Sequence, residues 1–251
     1  MAEESKESRS QARLAAAAER KALAEAAAKK ARRSRVFVSL AVIAPILLVV
    51  IVGVSISLVK SKVDSTVTAP LTASKMDGYG LLFNGTATPQ IDVWEDFQCP
   101  ACKNFEDANG AQVRELVQNG KARVVFHSLS FLGAESVILA NAGACAADQN
   151  KFLELHDYLF KNQKPENSAY WGLSRVTAAG VAAGLNENSF KSCVKSGKFA
   201  KWVETIGADG AKNNINQTPT VLINGKEIDR NAGAYIDAVL FKKALADAGV
   251  K

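Results

Sequence analysis

Two cysteines separated by two residues are the part of this sequence best suited to chemistry. Cys99 and Cys102 follow the apolar run Ile91–Phe97, which predicts a strand, and Pro100 stands where the first turn of a helix tolerates proline. Such a helix would direct unpaired N–H groups and the positive end of its dipole at the first sulfur, and both favour a thiolate. We expect Cys99 to be exposed there, as nucleophile and leaving group. The pattern therefore predicts thiol–disulfide exchange.

The same spacing occurs in half of a structural zinc site, which needs two further Cys or His ligands at short spacing. Cys145 and Cys193 stand far apart in the sequence, and His127 and His156 belong to no group with ligand spacing. We therefore expect neither a metal nor a cofactor. Both histidines are interpreted as packing or surface residues rather than catalysts.

The surplus of positive charge is confined to the start of the chain. Residues 1–35 contain ten Lys/Arg against five Glu, whereas residues 36–251 contain 21 Lys/Arg against 20 Asp/Glu. We interpret 1–35 as a basic, Ala-rich cytoplasmic tail, either solvated or bound to anionic lipid headgroups through its basic end. Because no basic patch is interleaved with aromatic residues, nucleic acid is not an expected partner.

An uncharged stretch of 24 residues, 36–59, is long enough to span a bilayer as one helix. Seven Lys/Arg lie in the twenty residues before it and three in the twenty after it. The positive-inside rule then predicts a single-pass anchor in the cell membrane, with a cytoplasmic N-terminus and an extracytoplasmic domain. A cleaved signal peptide is the alternative, but its apolar core is normally about 7–15 residues long. The polar residues 60–79 are interpreted as an extracytoplasmic linker.

After residue 80 the predicted elements alternate at first and then become helical. An edge strand near 81–85 precedes the strand before the cysteines, a helix from 100 to about 118 follows them, and a parallel strand is expected at 122–129. Asn224-Gly225 predicts a hairpin turn. The remaining predicted helices, with caps at Asn167-Ser168 and Asn188-Ser189, are roughly 134–148, 151–162, 168–184, 187–196, 198–213 and 233–248.

Three motifs in this order resemble the DsbA-like branch of the thioredoxin superfamily. They are residues 94–102 (WEDFQCPAC), the helical segment 145–160, and residues 217–225 (QTPTVLING). The resemblance covers about 80–250. It implies an α/β thioredoxin fold with an inserted helical domain at about 133–213, preceded here by one N-terminal transmembrane helix. The whole chain resembles the membrane-anchored DsbA-like proteins of actinobacterial cell envelopes.

The resemblance also implies roles for individual residues. Cys99 would be the attacking cysteine and Cys102 the resolving one, flanking the active-site dipeptide Pro100–Ala101. Pro219 would be the family's cis-proline opposite the disulfide, and the backbone of Thr218 would then pair with an extended substrate. An ordinary strand entry is the alternative interpretation of Thr218 and Pro219.

Two positions depart from the pattern of the family. Many members carry a buried acid six residues before the first cysteine, where this chain has Val93, and strongly oxidising members have histidine in place of Ala101. Glu95 and Asp96 lie closer to Cys99, and strand alternation would direct only one of them inward. Either could assist proton transfer, or both could be exposed acids at the end of the strand.

Cys145 and Cys193 lie on predicted helices of the inserted block. Outside the cytoplasm a structural disulfide is the expected state, and closing so long a loop stabilises the fold by about 4 kcal/mol on the chain-entropy model. Two buried thiols that pack as small apolar groups are the alternative.

Together these features predict an enzyme, an extracytoplasmic thiol–disulfide oxidoreductase that introduces disulfides into reduced, exported proteins. The resemblance implies re-oxidation by a quinone-linked membrane partner. A reductase or isomerase of the same fold is one alternative. A non-catalytic thioredoxin-fold module that binds client proteins or metal is another, although metal handling would call for a further His or Met near Cys99 and Cys102.

Overall fold

The computed structural model describes residues 67–250, which fold around a five-stranded sheet. The strands are β1 (Leu81–Phe83), β2 (Gln90–Glu95), β3 (Arg123–Ser128), β4 (Thr220–Ile223) and β5 (Lys226–Glu227). Their order across the sheet is β1–β3–β2–β4–β5, with β2 and β3 parallel and the other pairs antiparallel. The predicted edge strand and the predicted parallel pair are confirmed. Because helices cover the central strands, β2 and β3 are buried along almost their whole length.

The helix after the cysteines is interrupted, whereas the sequence predicted one element to about residue 118. It consists of α1 (Pro100–Phe105), a π-helical turn (Glu106–Gly110) and α2 (Ala111–Asn119). A Cβ atom at Gly110 would lie 2.4 Å from Oε2 of Glu106. Glycine at this position therefore lets the Glu106 side chain fold back along the turn, and π-turns of this kind often occur at functional sites.

Five helices form the block between β3 and β4, as predicted. They are α3 (Ala134–Ala147), α4 (Phe152–Lys161), α5 (Leu173–Ala182), α6 (Glu187–Ser196) and α7 (Ala200–Lys212). This block is the helical insertion, and its residues Ser136 and Gln163 contact the loop that carries the cysteines.

Two predicted caps in the insertion are wrong, and one of the helices starts later than predicted. The prediction placed a cap at Asn167-Ser168, but Asn167 and Ala169 have positive φ angles of 51° and 57°, which a helix cannot include, so α5 begins only at Leu173. The cap of α6 is Asn186 rather than Asn188-Ser189, because its side chain accepts the N–H of Ser189 at 3.1 Å.

A disulfide joins Cys145 of α3 to Cys193 of α6, across 48 residues of sequence. It ties two helices of the insertion together at a point where Cys145 is buried. A loop of this length corresponds to about 4 kcal/mol of stabilisation on the chain-entropy model.

The end of the chain forms the predicted hairpin and a helix shorter than predicted. Asn224 and Gly225, with φ angles of 51° and 78°, make the turn between β4 and β5. The last helix, α8 (Ala238–Asp247), begins five residues after the predicted start at 233, because Asp237 caps it by accepting the N–H groups of Val239 and Leu240.

The folded domain begins earlier than the sequence predicted. Residues 67–79, expected to be the end of the linker, pack on the domain: Ala73 pairs with Leu81, Asp77 forms an ion pair with Arg123, and the indole of Trp202 donates to a backbone carbonyl in this segment at 3.0 Å. Composition alone suggested a tether, but these contacts give the segment fixed partners.

The predicted tail (1–35), the predicted anchor (36–59) and residues 60–66 lie outside the described residues. Within 67–250, no helix has the length and the apolar character that crossing a membrane requires.

Candidate active site

The two cysteines lie where β2 ends and α1 begins. Cys99 is the N-cap of α1, its N–H donates to the carbonyl of Asp96 at 2.9 Å, and Cys102 is one turn further on. Cys99 is 8% exposed and Cys102 is fully buried. The predicted order of access is therefore correct, but the first cysteine is more enclosed than the exposed residue that the sequence suggested. Both are thiols in this structure, and Pro100 and Ala101 beside them are exposed.

The environment separates the acidities of the two thiols. The hydrogen bond from Cys102 lowers the pKa of Cys99 to about 6; burial opposes this, and Thr218 and the first-turn backbone N–H groups lower the pKa further. Burial raises the pKa of the Cys102 thiol far above its ordinary value, and the hydrogen bond to Cys99 and the negative charge of Glu95 raise it further. At pH 7 the reduced pair therefore consists of a thiolate at Cys99 and a thiol at Cys102.

The segment around Pro219 lies opposite Cys99 because β4 runs antiparallel to β2. Trp94 pairs with Thr220, which places residues 218 and 219 beside the cysteine loop. The Thr218–Pro219 peptide bond is cis, and the Sγ atom of Cys99 lies 3.5 Å from the carbonyl oxygen of Thr218. Thr218 is partly exposed, whereas Pro219 is buried. The structure thus brings the four site residues Cys99, Cys102, Thr218 and Pro219 together.

Asp96 fixes the loop that leads to Cys99. Its carboxylate accepts the backbone N–H of Gln98 at 2.9 Å and the hydroxyl of Ser136, on α3, at 2.7 Å. Burial raises the pKa of Asp96, and these hydrogen bonds oppose the increase. The interpretation of Asp96 as an exposed loop acid is wrong, because the strand ends at Glu95 and the chain turns Asp96 into the contact with the insertion.

Gln163, two residues after the end of α4, is a site residue that the sequence did not indicate. Its amide donates to the carbonyl oxygens of Phe97 and Cys99, each at 3.0 Å. One side chain of the insertion therefore holds the backbone on both sides of Gln98. Because these contacts span more than 60 residues of sequence, no local pattern predicts them.

Glu95 is the fully buried acid on the Cys102 side of the site. Its Oε1 atom lies 2.5 Å from Nε2 of His156, while its Oε2 atom has no hydrogen-bond partner among the described residues. Glu95 and Asp96 are thus both buried, contrary to the expectation from strand alternation. Of these two acids, only Glu95 has a charge that raises the pKa of Cys102.

His156 is a second residue whose role the sequence did not indicate. Its imidazole is fully enclosed, and Nδ1 lies 3.3 Å from Oδ1 of Asp157. Burial disfavours the charged imidazole, but the charges of Glu95 and Glu106 overcome this and raise its pKa well above the ordinary value. The interpretation of His156 as a simple packing residue is therefore incomplete, because its two ring nitrogens contact the carboxylates of Glu95 and Asp157.

Glu95, Glu106 and His156 form a compact buried cluster in which one ligand atom of each lies within 4.8 Å of the others. Burial raises the pKa of Glu106 to about 8; the charge on His156 opposes the increase and that on Glu95 adds to it. A metal would separate its ligand atoms by more than 3 Å, since zinc–ligand distances are about 2.0–2.1 Å. The direct contact of 2.5 Å between Glu95 and His156 is instead that of a hydrogen bond.

His127 lies away from this cluster, in β3. It stacks on Trp94 with ring centroids 3.7 Å apart, and its Nε2 atom lies 3.2 Å from Oδ1 of Asp92. The ring is buried, and both of these partners belong to β2 rather than to the loop that carries the redox cysteines. The prediction that His127 is a packing residue is confirmed.

Comparisons with known proteins agree with this geometry. A family model described as thioredoxin matches residues 84–238, more than half of the chain. Disulfide bond formation protein D of Bacillus subtilis is 26% identical over 157 residues, which cover 60% of this chain and 70% of that protein.

Two solved structures share the architecture. The reduced disulfide bond oxidoreductase DsbG of Mycobacterium tuberculosis is 28% identical, with a TM-score of 0.54 over 65% of this chain and 80% of that one. MdbA, a thiol-disulfide oxidoreductase of Actinomyces oris, is 20% identical and superposes with a TM-score of 0.62 over 71% and 89%, which shows a shared fold. With the paired cysteines at the start of α1 and the helical insertion between β3 and β4, the chain belongs to the thioredoxin family as a DsbA-like thiol–disulfide oxidoreductase.

Proposed function

We propose that this enzyme is an oxidase that donates the Cys99–Cys102 disulfide to reduced, unfolded exported proteins. The observation that carries the proposal is the contrast between the two sulfurs, with the pKa of Cys99 lowered to about 6 and that of Cys102 raised. The reduced form keeps a stabilised thiolate at Cys99, and a pair whose reduced form is stabilised gives up its disulfide readily.

The reaction takes place in two exchange steps. A substrate thiolate attacks Sγ of Cys99, the bond between Cys99 and Cys102 breaks, and Cys102 leaves with the electron pair and takes up a proton. A second substrate thiolate then attacks the substrate sulfur of the mixed disulfide, and Cys99 leaves as the stabilised thiolate. The substrate loses two electrons and gains a disulfide, and the enzyme is left as the reduced pair.

Thr218 is the residue we assign to substrate binding. Its carbonyl oxygen lies 3.5 Å from Sγ of Cys99 and the residue is partly exposed. An extended substrate segment can therefore pair with the backbone of Thr218 while the substrate sulfur approaches Cys99. Pro219 is buried, and its ring restricts the direction of the backbone that follows Thr218.

Alanine at position 101 does not prevent this chemistry. Strongly oxidising members of the family have histidine there, but in this chain the groups that lower the pKa of Cys99 are the Cys102 thiol, Thr218 and backbone N–H groups. A pKa of about 6 lies between the values of about 7 for thioredoxin and about 3.5 for DsbA. The enzyme is accordingly proposed to be a moderate oxidant.

The proposed compartment rests on the sequence rather than on the folded domain. The uncharged stretch 36–59, with its asymmetric basic flanks, would hold the domain on the outer side of the cell membrane, where disulfides persist. A quinone-linked membrane protein is the proposed re-oxidase, taking two electrons from Cys99 and Cys102 in each cycle.

The redox state in living cells tests the proposal. Cells that express the full chain with Cys145→Ser and Cys193→Ser are quenched with acid and treated with a maleimide that adds mass, so that only Cys99 and Cys102 are counted. We expect both to be unlabelled until a reductant is added, and Cys99 then to be labelled by an impermeant maleimide in intact protoplasts.

A variant that also carries Cys99→Ser and Cys102→Ser has no cysteine left to label and gives the background of the maleimide reaction. Free thiols at most of the Cys99 and Cys102 sites in the steady state would establish the reductase or isomerase alternative. Failure of the impermeant reagent to label reduced Cys99 in intact protoplasts, when the same reagent labels it after the protoplasts are lysed, would place the domain inside the cell.

A further inference from the structure

The segment that binds substrate in the proposed function lies beyond the last strand pairs of β4. The pairs with β2 end at Thr220, which is opposite Trp94, and the pairs with β5 end at Leu222. Pro219 has no N–H to donate, and the buried hydroxyl of Thr218 has no hydrogen-bond partner among the described residues. The strand pairs by themselves therefore do not fix the backbone of Thr218, and other groups must hold it.

The side chain of Thr220 closes a turn around this segment. Its hydroxyl donates to the carbonyl oxygen of Gln217 at 2.8 Å, so one hydrogen bond joins the two residues that flank Thr218 and Pro219. Thr220 is buried, which limits competition from water for its hydroxyl. Because a hydroxyl has a single proton, the bond forms only while that proton points towards Gln217.

Arg230, at the start of a short 3₁₀ turn after β5, fixes the direction of that proton. Its Nη2 atom donates to Oγ1 of Thr220 at 2.6 Å. Because arginine has donors and no acceptor, the Thr220 oxygen accepts from it, and the hydroxyl proton remains for the carbonyl of Gln217. A charged donor also makes a stronger hydrogen bond than a neutral one. The position of Gln217 therefore depends on Arg230 through one buried hydroxyl.

Two neighbouring side chains hold the guanidinium in this place. The carboxylate of Glu227, in β5, lies 2.5 Å from Nε of Arg230, and the guanidinium carbon lies 4.7 Å from the centre of the Tyr235 ring. Tyr235 is itself fixed, since its hydroxyl accepts the N–H of Val221 at 2.9 Å and Asn109 of the π-turn donates to its carbonyl oxygen at 3.1 Å. Arg230 thus has a defined position although its side chain is 28% exposed.

We propose that Arg230 is a positioning residue for substrate binding, which through Thr220 holds residues 217–219 where an extended substrate pairs with them. The inference rests on the proposed disulfide donation and adds to it the group that aligns the substrate. The closed turn keeps the carbonyl oxygen of Thr218 3.5 Å from Sγ of Cys99, so a substrate strand that pairs there has its sulfur directed at the disulfide. Arg230 acts through Thr220 and not by contact with the reacting sulfurs.

The test compares two reductants of the oxidised full chain in single-turnover reactions. One is an uncharged synthetic peptide with two reduced cysteines, which can pair along residues 217–219, and the other is dithiothreitol, a small dithiol without a peptide backbone. Arg230→Met keeps the length of the side chain but removes its donors. We expect it to raise the peptide concentration that gives half of the limiting rate by at least about fivefold, the effect of one ordinary hydrogen bond. The rate with dithiothreitol should stay within about twofold of the wild type.

Variants of Thr220 separate positioning from a loss of packing. Thr220→Val keeps the shape of the side chain without the hydroxyl, so it should match Arg230→Met, whereas Thr220→Ser keeps the hydroxyl and should stay within about twofold of the wild type. Because both residues act through one hydrogen-bonded link, the double variant should be no weaker than the weaker single variant. Additive losses in the double variant, or equal losses with the peptide and with dithiothreitol, would overturn the proposal.

Arg175→Met is the matched control. Arg175 of α5 also donates to a backbone carbonyl oxygen and lies 4.1 Å from a tyrosine ring centre, but both contacts are with Tyr170 of the insertion. This variant should behave as the wild type with both reductants. If Thr220→Val does not fold, the partly exposed Arg230 still decides: a half-saturating peptide concentration for Arg230→Met within about twofold of that for Arg175→Met would overturn the proposal. A wild-type enzyme that transfers no disulfide to the peptide would instead refute the proposed function itself.

Discussion

Replacing Cys99 by serine is expected to abolish disulfide donation to a reduced, unfolded test protein, to below about 1% of the wild-type rate. Cys99 is the sulfur at the helix N-terminus with access to solvent, whereas Cys102 is fully buried. The loss follows because a serine oxygen can neither hold the disulfide nor leave as a stabilised anion. The measurement is the recovery of activity by a test enzyme that requires its disulfides.

Cys102→Ser serves as the matched variant for this experiment. It keeps the attacking sulfur but removes the resolving one, so we expect its Cys99 thiolate to attack a test protein that already contains disulfides and to remain trapped in the mixed disulfide, with the second substrate sulfur released as a thiolate. Mixed disulfides formed through Cys102 in the Cys99→Ser protein, or donation by that protein at the wild-type rate, would refute the assigned order of attack.

The second large effect is expected in the alkylation of the reduced enzyme. With a pKa of about 6, Cys99 is about 90% thiolate at pH 7 and about 10% at pH 5. The rate of modification by iodoacetamide should therefore be constant above about pH 7 and fall about tenfold for each unit below pH 6. Cys102 should react at least about a hundredfold more slowly at pH 7, because it is both enclosed and protonated.

A pair of variants identifies the cause of the shift. The Cys102 thiol makes the largest contribution to the lowered pKa of Cys99, so Cys102→Ala should move the midpoint of the rate profile upward. Cys102→Ser retains a hydroxyl donor and should move it less. A midpoint near the ordinary thiol value in the wild type, or faster modification of Cys102 than of Cys99, would contradict the electrostatic account of this site.

Local signals in the sequence predicted most of the elements that carry the site. An apolar run, a proline in the first helical turn and an Asn-Gly turn each act within a few residues, so β2, α1 and the β4–β5 hairpin were expected where they occur. The five helices between β3 and β4 were predicted from local patterns, and the family resemblance identified them as an inserted domain. The interruption at the π-turn was not expected, because a glycine in a helix indicates weakness without indicating how the backbone adjusts.

The acid–histidine part of the site depends on contacts that are distant in sequence. Glu95 and His156 are 61 residues apart, and Ser136 and Gln163 reach the cysteine loop from opposite ends of the first two insertion helices. One signal could have located His156: it lies four residues from both Phe152 and Phe160, so helical periodicity places it on the buried face of α4. A histidine among buried aromatic residues needs polar partners, and the strand before the cysteines supplies one.

The reduction potential of the Cys99–Cys102 pair, measured by equilibration with glutathione buffers, tests the central claim most directly. Each pKa unit by which a thiolate is stabilised is about 1.4 kcal/mol, or about 30 mV for a two-electron couple. Because the lowered pKa of Cys99 stabilises the reduced form, we predict a potential more positive than thioredoxin's value of about −270 mV. A potential at or below that of thioredoxin would contradict the proposed oxidase and indicate an enzyme that runs the exchange as a reductase.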